Sequence, residues 1–100
     1  MSEAIIFESE ARLEFEDAVA WHNNEKPGLG DSFGNEVYAL LDRLAINPGR
    51  FRLVGKTVRV ARLKVFWKYS IYFHVEPDFV GVVAVFHSSR DPAELIRRLK

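Results

Sequence analysis

The sequence predicts an α+β fold in which an N-terminal strand and an antiparallel helical hairpin pack on a mostly antiparallel β-sheet, with a short C-terminal helix. Apolar residues recur every three or four positions before Gly49 and then alternate with polar ones, so helices should precede most of the strands. The segment KPGLG at residues 26–30 divides the helical half in two. With 100 residues, of which 48% are hydrophobic, the chain should form a single domain over residues 1–100.

The first predicted elements are a strand and an amphipathic helix. Residues 4–7 form a short apolar run, and Ser9 is then a suitable N-cap for the helix. Glu14, Asp17 and Glu25 are expected to point away from the core. The stripe predicted to face the core consists of Ala11, Phe15, Ala18 and His22.

The remaining elements follow from a second apolar stripe and from alternation. A second helix is predicted over residues 29–45, and the Asn-Pro-Gly sequence that follows should end it. Asp91 and Pro92 should open the last helix, because proline suits a first helical turn. Strands are predicted over residues 57–63, 69–76 and 80–87.

Charge is distributed very unevenly along the chain although the formal net charge is zero. Residues 1–49 carry ten acids and three bases, a net charge of −7, and residues 50–100 carry four acids and eleven bases, a net charge of +7. No acid lies between Asp42 and Glu76. An anionic partner is therefore expected to bind the second half.

Several classes of site are not expected. The chain has no cysteine, and His22, His74 and His87 do not have the spacing of a metal site, so we expect no metal and no cofactor. The sequence contains no serine nucleophile elbow and no phosphate-binding loop. The amino terminus does not resemble a signal peptide and no apolar run is long enough to span a membrane, so we expect a cytoplasmic protein.

One group of polar side chains should meet at the end of the last hairpin. A turn at residues 77–79 places His87 opposite Tyr69, with Arg90 just beyond the strand and Arg62 approaching from the next strand. A histidine, a tyrosine and two arginines could position a phosphate and move a proton. The alternative is an ordinary strand-end cluster in which His87 bonds to a backbone carbonyl and Arg90 to a neighbouring acid or turn.

A second candidate is the hairpin tip around residues 65–67. Phe66 and Trp67 are expected to be exposed there, and large aromatic side chains at a loop often anchor a partner. Basic and aromatic side chains together suit single-stranded nucleic acid, and they suit an acidic protein equally well. The basic residues on or near this tip are Arg62, Lys64 and Lys68.

The chain resembles the RelE/ParE toxin superfamily, particularly its ParE branch. The resemblance lies in AVAWHNNEKPGLGDSFGNEV (residues 18–37), in the Asn-Pro pair at residues 47–48, in residues 64–73, and in the terminal pattern His-x-x-Arg-Asp-Pro at residues 87–92. The chain departs from the family at His22, where a tyrosine is usual. It departs again at residues 67–69, where Trp-Lys-Tyr replaces Phe-Pro-Tyr and removes a rigid turn residue.

The resemblance implies a toxin of a bacterial type II toxin–antitoxin system with a helical hairpin on an antiparallel sheet. ParE-like members poison DNA gyrase, and RelE-like members are ribosome-dependent mRNA endonucleases. Both are held inactive in a hetero-oligomer by a cognate antitoxin. A third possibility is a non-toxic relative, and no membrane association is implied.

The resemblance favours a gyrase inhibitor over an enzyme. RelE-type cleavage relies on basic residues with a C-terminal tyrosine, or on a histidine, a glutamate and an arginine. The tail here has no tyrosine, and residues 43–75 contain no glutamate. For a nuclease, the candidates would be Arg59, Arg62, His87 and Arg90. The residues expected to bind the target or the antitoxin are Arg62, Lys64, Phe66, Trp67, Lys68, Tyr69, His87 and Arg90.

Overall fold

Three α-helices and a five-stranded mixed sheet make up the fold. The structure, a computed structural model, describes residues 4–99; the expectation of no signal peptide falls partly on residues 1–3, outside that range. A 3-10 turn at Pro48–Arg50 follows the helical hairpin. The elements are β1 (Ala4–Phe7), α1 (Ser9–Glu25), α2 (Leu29–Ile46), β2 (Arg52–Leu53), β3 (Val58–Arg62), β4 (Tyr69–Val75), β5 (Phe79–His87) and α3 (Pro92–Arg98).

The predicted architecture is confirmed, with one strand more than expected. The strand order is β1-β5-β4-β3-β2, in which β1 runs parallel to β5 and all other neighbours are antiparallel. The additional strand is the two-residue β2, which was too short to predict from alternation. None of the helices within residues 4–99 combines the length and the hydropathy that a membrane span needs.

The core lies mainly between the helical hairpin and one face of the sheet. Phe33 of α2 and Phe73 of β4 are completely buried in it, and the predicted stripe of α1 is buried as well. On the opposite face of the sheet, α3 packs Leu95 against Ala84 and Phe86. β5 is therefore covered on both faces, which explains why it is almost continuously apolar.

The glycines of the PGLG turn have separate structural roles. Gly28 precedes α2 with a φ of 89°, a backbone conformation that favours glycine. Gly30 lies directly against α1, where an added Cβ would come within 2.1 Å of the carbonyl oxygen of Val19. Its amide donates a hydrogen bond to Asn23 Oδ1 at 2.7 Å. The turn therefore allows the two helices to approach closely.

Two expectations for α1 are wrong. Ser9 is the first helical residue, and the preceding Glu8 has no side-chain capping bond. The reason is that the Glu8 amide still donates to the carbonyl of Val82, so the sheet pairing continues to the start of the helix. Glu14 does not point into solvent, because its side chain is only 12% exposed and lies beside β5.

The register of the last hairpin agrees with the prediction that Tyr69 lies opposite His87. A bulge between Tyr72 and Phe73 then shifts the pairing, so that His74 lies opposite Gly81. The glycine is needed there, because an added Cβ would lie 2.4 Å from His74 Nε2.

Candidate partner-binding surface

Aromatic and basic side chains form a continuous surface where α1, the start of β4 and the end of β5 meet. Trp21 and Trp67 are each 57% exposed, and both border depressions that Tyr69 and His87 also line. The rings of Tyr69 and His87 meet edge to face with centroids 4.8 Å apart. We call this region the aromatic surface and define it as Trp21, Trp67, Lys68, Tyr69 and His87.

A buried histidine supports the aromatic surface from behind. His22 is buried, with Nε2 3.2 Å from the hydroxyl oxygen of Tyr69, while Nδ1 has no partner among the described residues. Burial, followed by the field of His87, lowers the pKa of His22. Burial raises the pKa of Tyr69, so its hydroxyl stays protonated at neutral pH and acts as a hydrogen-bonding group.

His87 has a defined orientation. The amide of Ser89 donates a hydrogen bond to its Nδ1 at 3.0 Å, so in the neutral ring Nε2 carries the proton. The amide of Ser88 donates to the carbonyl oxygen of Lys68 at 2.8 Å, which fixes the end of β5 against the hairpin tip.

A carboxylate from α2 holds the backbone of residues 64–66, which lead into the hairpin tip. Glu36 accepts hydrogen bonds from the amides of Lys64, Val65 and Phe66 at 2.7, 3.0 and 3.1 Å. Burial by itself would raise the pKa of Glu36, but these three amides hold it below its usual value. Glu36 of α2 thus brings a carboxylate to residues 64–66, which lie in a segment without acids of its own.

The prediction that Phe66 is exposed is wrong. With its amide bound to Glu36, Phe66 turns inward, and its ring centroid lies 5.2 Å from those of both His22 and Phe33. Trp67 is the aromatic residue of the tip that remains on the surface, and Lys68 Nζ lies 5.4 Å from the centroid of its ring.

Arg90 lies beside Tyr69 and His87, but its charge is already paired. It forms salt bridges with Glu14 and, at 2.7 Å, with Glu94. Glu14 also accepts hydrogen bonds from Arg98 at 2.7 and 3.0 Å and from the amide of Val85 at 3.0 Å. Burial would raise the pKa of Glu14, but these donors outweigh burial and lower it. Arg90 therefore belongs to a structural ion network.

The other basic candidates lie elsewhere. Arg59 donates hydrogen bonds to the carbonyl oxygens of Gly49 at 3.3 Å and Phe51 at 2.6 Å. Arg62 and Lys64 line a separate depression that includes neither Tyr69 nor His87. Of the four nuclease candidates, only His87 and Arg90 are brought together.

Comparison with known proteins identifies the family. The family described as "ParE toxin of type II toxin-antitoxin system, parDE" matches residues 5–92. The chain belongs to the ParE toxin family. No curated protein matches the sequence.

A solved structure shares the ParE fold. "Chromosomal ParDE TA system from P. aeruginosa" matches with a TM-score of 0.73 and 11% sequence identity, covering 86% of this chain and 96% of that chain. At this identity the likeness concerns the fold alone. It bears out the α+β architecture predicted for a ParE-type toxin.

Sequence reasoning missed the roles of Glu14, Glu36 and Trp21 in this ParE surface, and it placed His22 in the core without its contact to Tyr69. The role of Glu36 could not be predicted from its neighbours in the sequence, because it accepts hydrogen bonds from amides 28 to 30 positions away. The helical pattern predicts Glu14 on the solvent face of α1, because its partners Val85 and Arg98 are also distant in the sequence. The sequence does give an indication of Trp21, because this tryptophan directly precedes His22, the last residue of the buried stripe. Within residues 4–99, no three His, Asp or Glu side chains are placed to hold a metal ion.

Proposed function

We propose that this ParE-type toxin inhibits DNA gyrase through the aromatic surface and is neutralised by a cognate antitoxin. On this proposal it acts in the cytoplasm as a binding protein and performs no chemistry of its own. Membership of the ParE family supports the toxin assignment, and the aromatic surface is the observation that supports a binding mode.

The aromatic surface has the properties of a protein-binding hot spot. Two half-exposed tryptophans stand beside Tyr69 and His87, and rigid aromatic side chains lose little entropy when a partner covers them. Glu36 and the Ser88 amide hold the backbone around Trp67 and Lys68, so the surface is preorganised for binding.

The distribution of charge argues against the alternative, a RelE-like mRNA endonuclease. Such an enzyme needs several free cations around the scissile phosphate. Arg90 is paired with two carboxylates, Arg59 is bonded to backbone carbonyls, and Arg62 lies in another depression. In a nuclease, Tyr69 and His87 would therefore have to bind the scissile phosphate without these three arginines.

The decisive experiment adds the purified chain to gyrase with supercoiled DNA and, separately, to translating ribosomes. We expect inhibited supercoiling or trapped DNA cleavage in the first assay and intact mRNA in the second. The double variant Trp21→Ala, Trp67→Ala should need at least about tenfold more protein for the same effect, because hot-spot side chains each contribute about 1–2 kcal/mol or more.

A matched control is Leu13→Ala, which removes an apolar side chain of α1 that is 59% exposed and lies outside the aromatic surface. It should inhibit gyrase as well as the parent protein does. Cleaved mRNA together with unaffected gyrase would overturn the proposal in favour of a nuclease.

A further inference from the structure

A basic depression of about 300 Å³ lies between the second half of α2, the 3-10 turn and the end of β3. It shares no residue with the aromatic surface. Its volume is at the lower end of the range, about 300–1,000 Å³, that is typical of small-molecule sites. The basic depression is defined by Leu40, Arg43, Arg50, Phe51, Arg62 and Lys64.

The cations of the basic depression are not neutralised within the protein. Across residues 4–99, none of its three arginines and its one lysine forms a salt bridge. All four side chains are exposed, and they come from three separate segments of the chain. Folding therefore brings four like charges around one small volume. Their mutual repulsion costs free energy, which a bound anion would recover.

One acid approaches the rim of the basic depression, but its charge is already engaged. Glu36 accepts a hydrogen bond from the backbone amide of Lys64 at 2.7 Å, and its other oxygen is bonded to the amide of Phe66. The carboxylate is thus directed at the backbone and forms no salt bridge with the Lys64 ammonium group. The depression keeps its excess of positive charge.

The shape of the basic depression favours a compact anion over duplex DNA. DNA distributes its charge along the helix axis, with about one negative charge per 1.7 Å. The four cations instead line a single depression, which is too small to enclose a duplex. A di- or triphosphate group carries several charges within a few bonds, and arginine suits its oxygens because the guanidinium can donate two parallel hydrogen bonds.

The floor of the basic depression is apolar and partly aromatic. Leu40 is only 1% exposed, while Phe51 is half-buried and packs on Phe73 with ring centroids 5.9 Å apart. The guanidinium carbon of Arg50 lies 6.0 Å from the centroid of the Phe51 ring. Nucleobases stack on aromatic rings and on guanidinium planes, whereas an inorganic polyphosphate gains nothing from an apolar floor. The floor therefore favours a nucleotide.

We propose that the basic depression binds a nucleotide through its di- or triphosphate group. The four cations take the phosphates, and the base packs on Phe51 beside Arg50. Because arginine and lysine supply the positive charge, binding does not require magnesium. This inference goes beyond the proposed function and does not depend on it, since the depression lies outside the aromatic surface.

The test uses isothermal titration calorimetry with ATP at low salt in the presence of EDTA. We expect ATP to bind the parent protein and to raise its melting temperature. The double variant Arg62→Gln, Lys64→Gln should bind at least about tenfold more weakly, because it loses two charge-assisted contacts. Arg43→Gln should also weaken binding, and it serves as a second variant if the first fails to fold.

The matched control is Arg97→Gln, which removes an exposed charge of α3 outside the depression. It should bind ATP within about twofold of the parent, because distant surface charges are largely screened. Equal weakening in the control and in the double variant would show general attraction to a basic protein and would overturn the proposal.

Two further ligands separate the phosphates from the base. AMP should bind at least about tenfold more weakly than ATP, because it brings a single phosphate to four cations. Inorganic triphosphate should bind more weakly than ATP because it cannot stack on Phe51. Equal binding by AMP would reject the polyphosphate site, and equal binding by triphosphate would reject the contact with the base.

A duplex DNA oligonucleotide provides the competing outcome. If it displaces ATP and binds more tightly, and the double variant loses that binding, the depression is a nucleic-acid site and the proposal is wrong. The absence of both binding heat and a rise in melting temperature at millimolar ATP would also overturn it. None of these assays contains gyrase, so a negative result would leave the proposed function standing.

Discussion

Glu14 and Arg98 bond to the part of β5 that lies beyond the end of β1. The Val85 amide donates to Glu14, and Arg98 donates to the carbonyl oxygen of Val83 at 2.6 Å, so both backbone groups have partners without a neighbouring strand. The two side chains are 12% and 8% exposed, and they also pair with each other. Removing the charge of Glu14 would leave the buried guanidinium of Arg98 paired with the exposed carboxylate of Glu10, 3.5 Å away, which is a weaker compensation for its burial.

The substitution Glu14→Gln tests this arrangement at the scale of single residues. It keeps the shape of the side chain but removes its charge, so we expect the free energy of unfolding to fall by about 2–4 kcal/mol. Urea denaturation followed by circular dichroism measures the change. Glu16→Gln, an exposed acid of the same helix, should change stability by no more than about 0.5 kcal/mol. A similar loss in both variants would contradict the buried network.

At the scale of elements, the helical hairpin depends on one close approach. Gly30 lies against the α1 backbone near Val19, whereas an added Cβ at Gly34 would meet Phe15 and Val19 at an ordinary 3.8 Å. The two glycines are therefore not equivalent, although both are buried in the same helix.

Gly30→Ala and Gly34→Ala form a matched pair that tests the close approach. We expect Gly30→Ala to destabilise the protein by about 1–3 kcal/mol, because the helices must separate to admit the methyl group. Gly34→Ala should be neutral or more stable by up to about 1 kcal/mol, because alanine favours the helix. Thermal unfolding of both variants gives the comparison. Equal melting temperatures would show that the hairpin can adjust at Gly30.

The elements were largely predictable from the sequence, because their signals are local. Periodicity located both helices of the hairpin, and the turn at residues 77–79 gave the correct pairing of Tyr69 with His87. The candidate site was less predictable, because its supports act over long separations. Glu14 bonds to an amide 71 positions away, and Phe66, whose amide bonds to Glu36, is half-buried against Phe33. Within their own helices the two glutamates have the spacing of ordinary solvent-facing residues.

At the scale of the whole molecule, three groups with lowered pKa connect the elements to one another. His22 links α1 to β4, Glu14 links α1 to β5, and Glu36 links α2 to the hairpin tip. A group whose folded pKa is depressed contributes its stability above the unfolded pKa and loses it as pH falls through the folded pKa. Acid should therefore weaken contacts throughout the molecule.

The pH dependence of unfolding tests this expectation. The contribution of His22 should be complete above its ordinary pKa of 6.5 and decline below it, and those of Glu14 and Glu36 should decline below 4.5. In urea denaturation at pH 7.5, 5.5 and 3.5, His22→Gln should lose less stability than the parent between the first two values. A steeper loss in the variant would contradict the assignment.

Glu36 fixes the backbone path of the hairpin tip whatever amino acids stand at its exposed positions. The carboxylate bonds to backbone amides, so it does not depend on which side chains the tip carries. The exposed positions Val65, Trp67 and Lys68 can therefore be varied while the chain keeps its path. That makes the tip a suitable site for randomised libraries, in which binders with new specificities could be selected on an unchanged toxin framework.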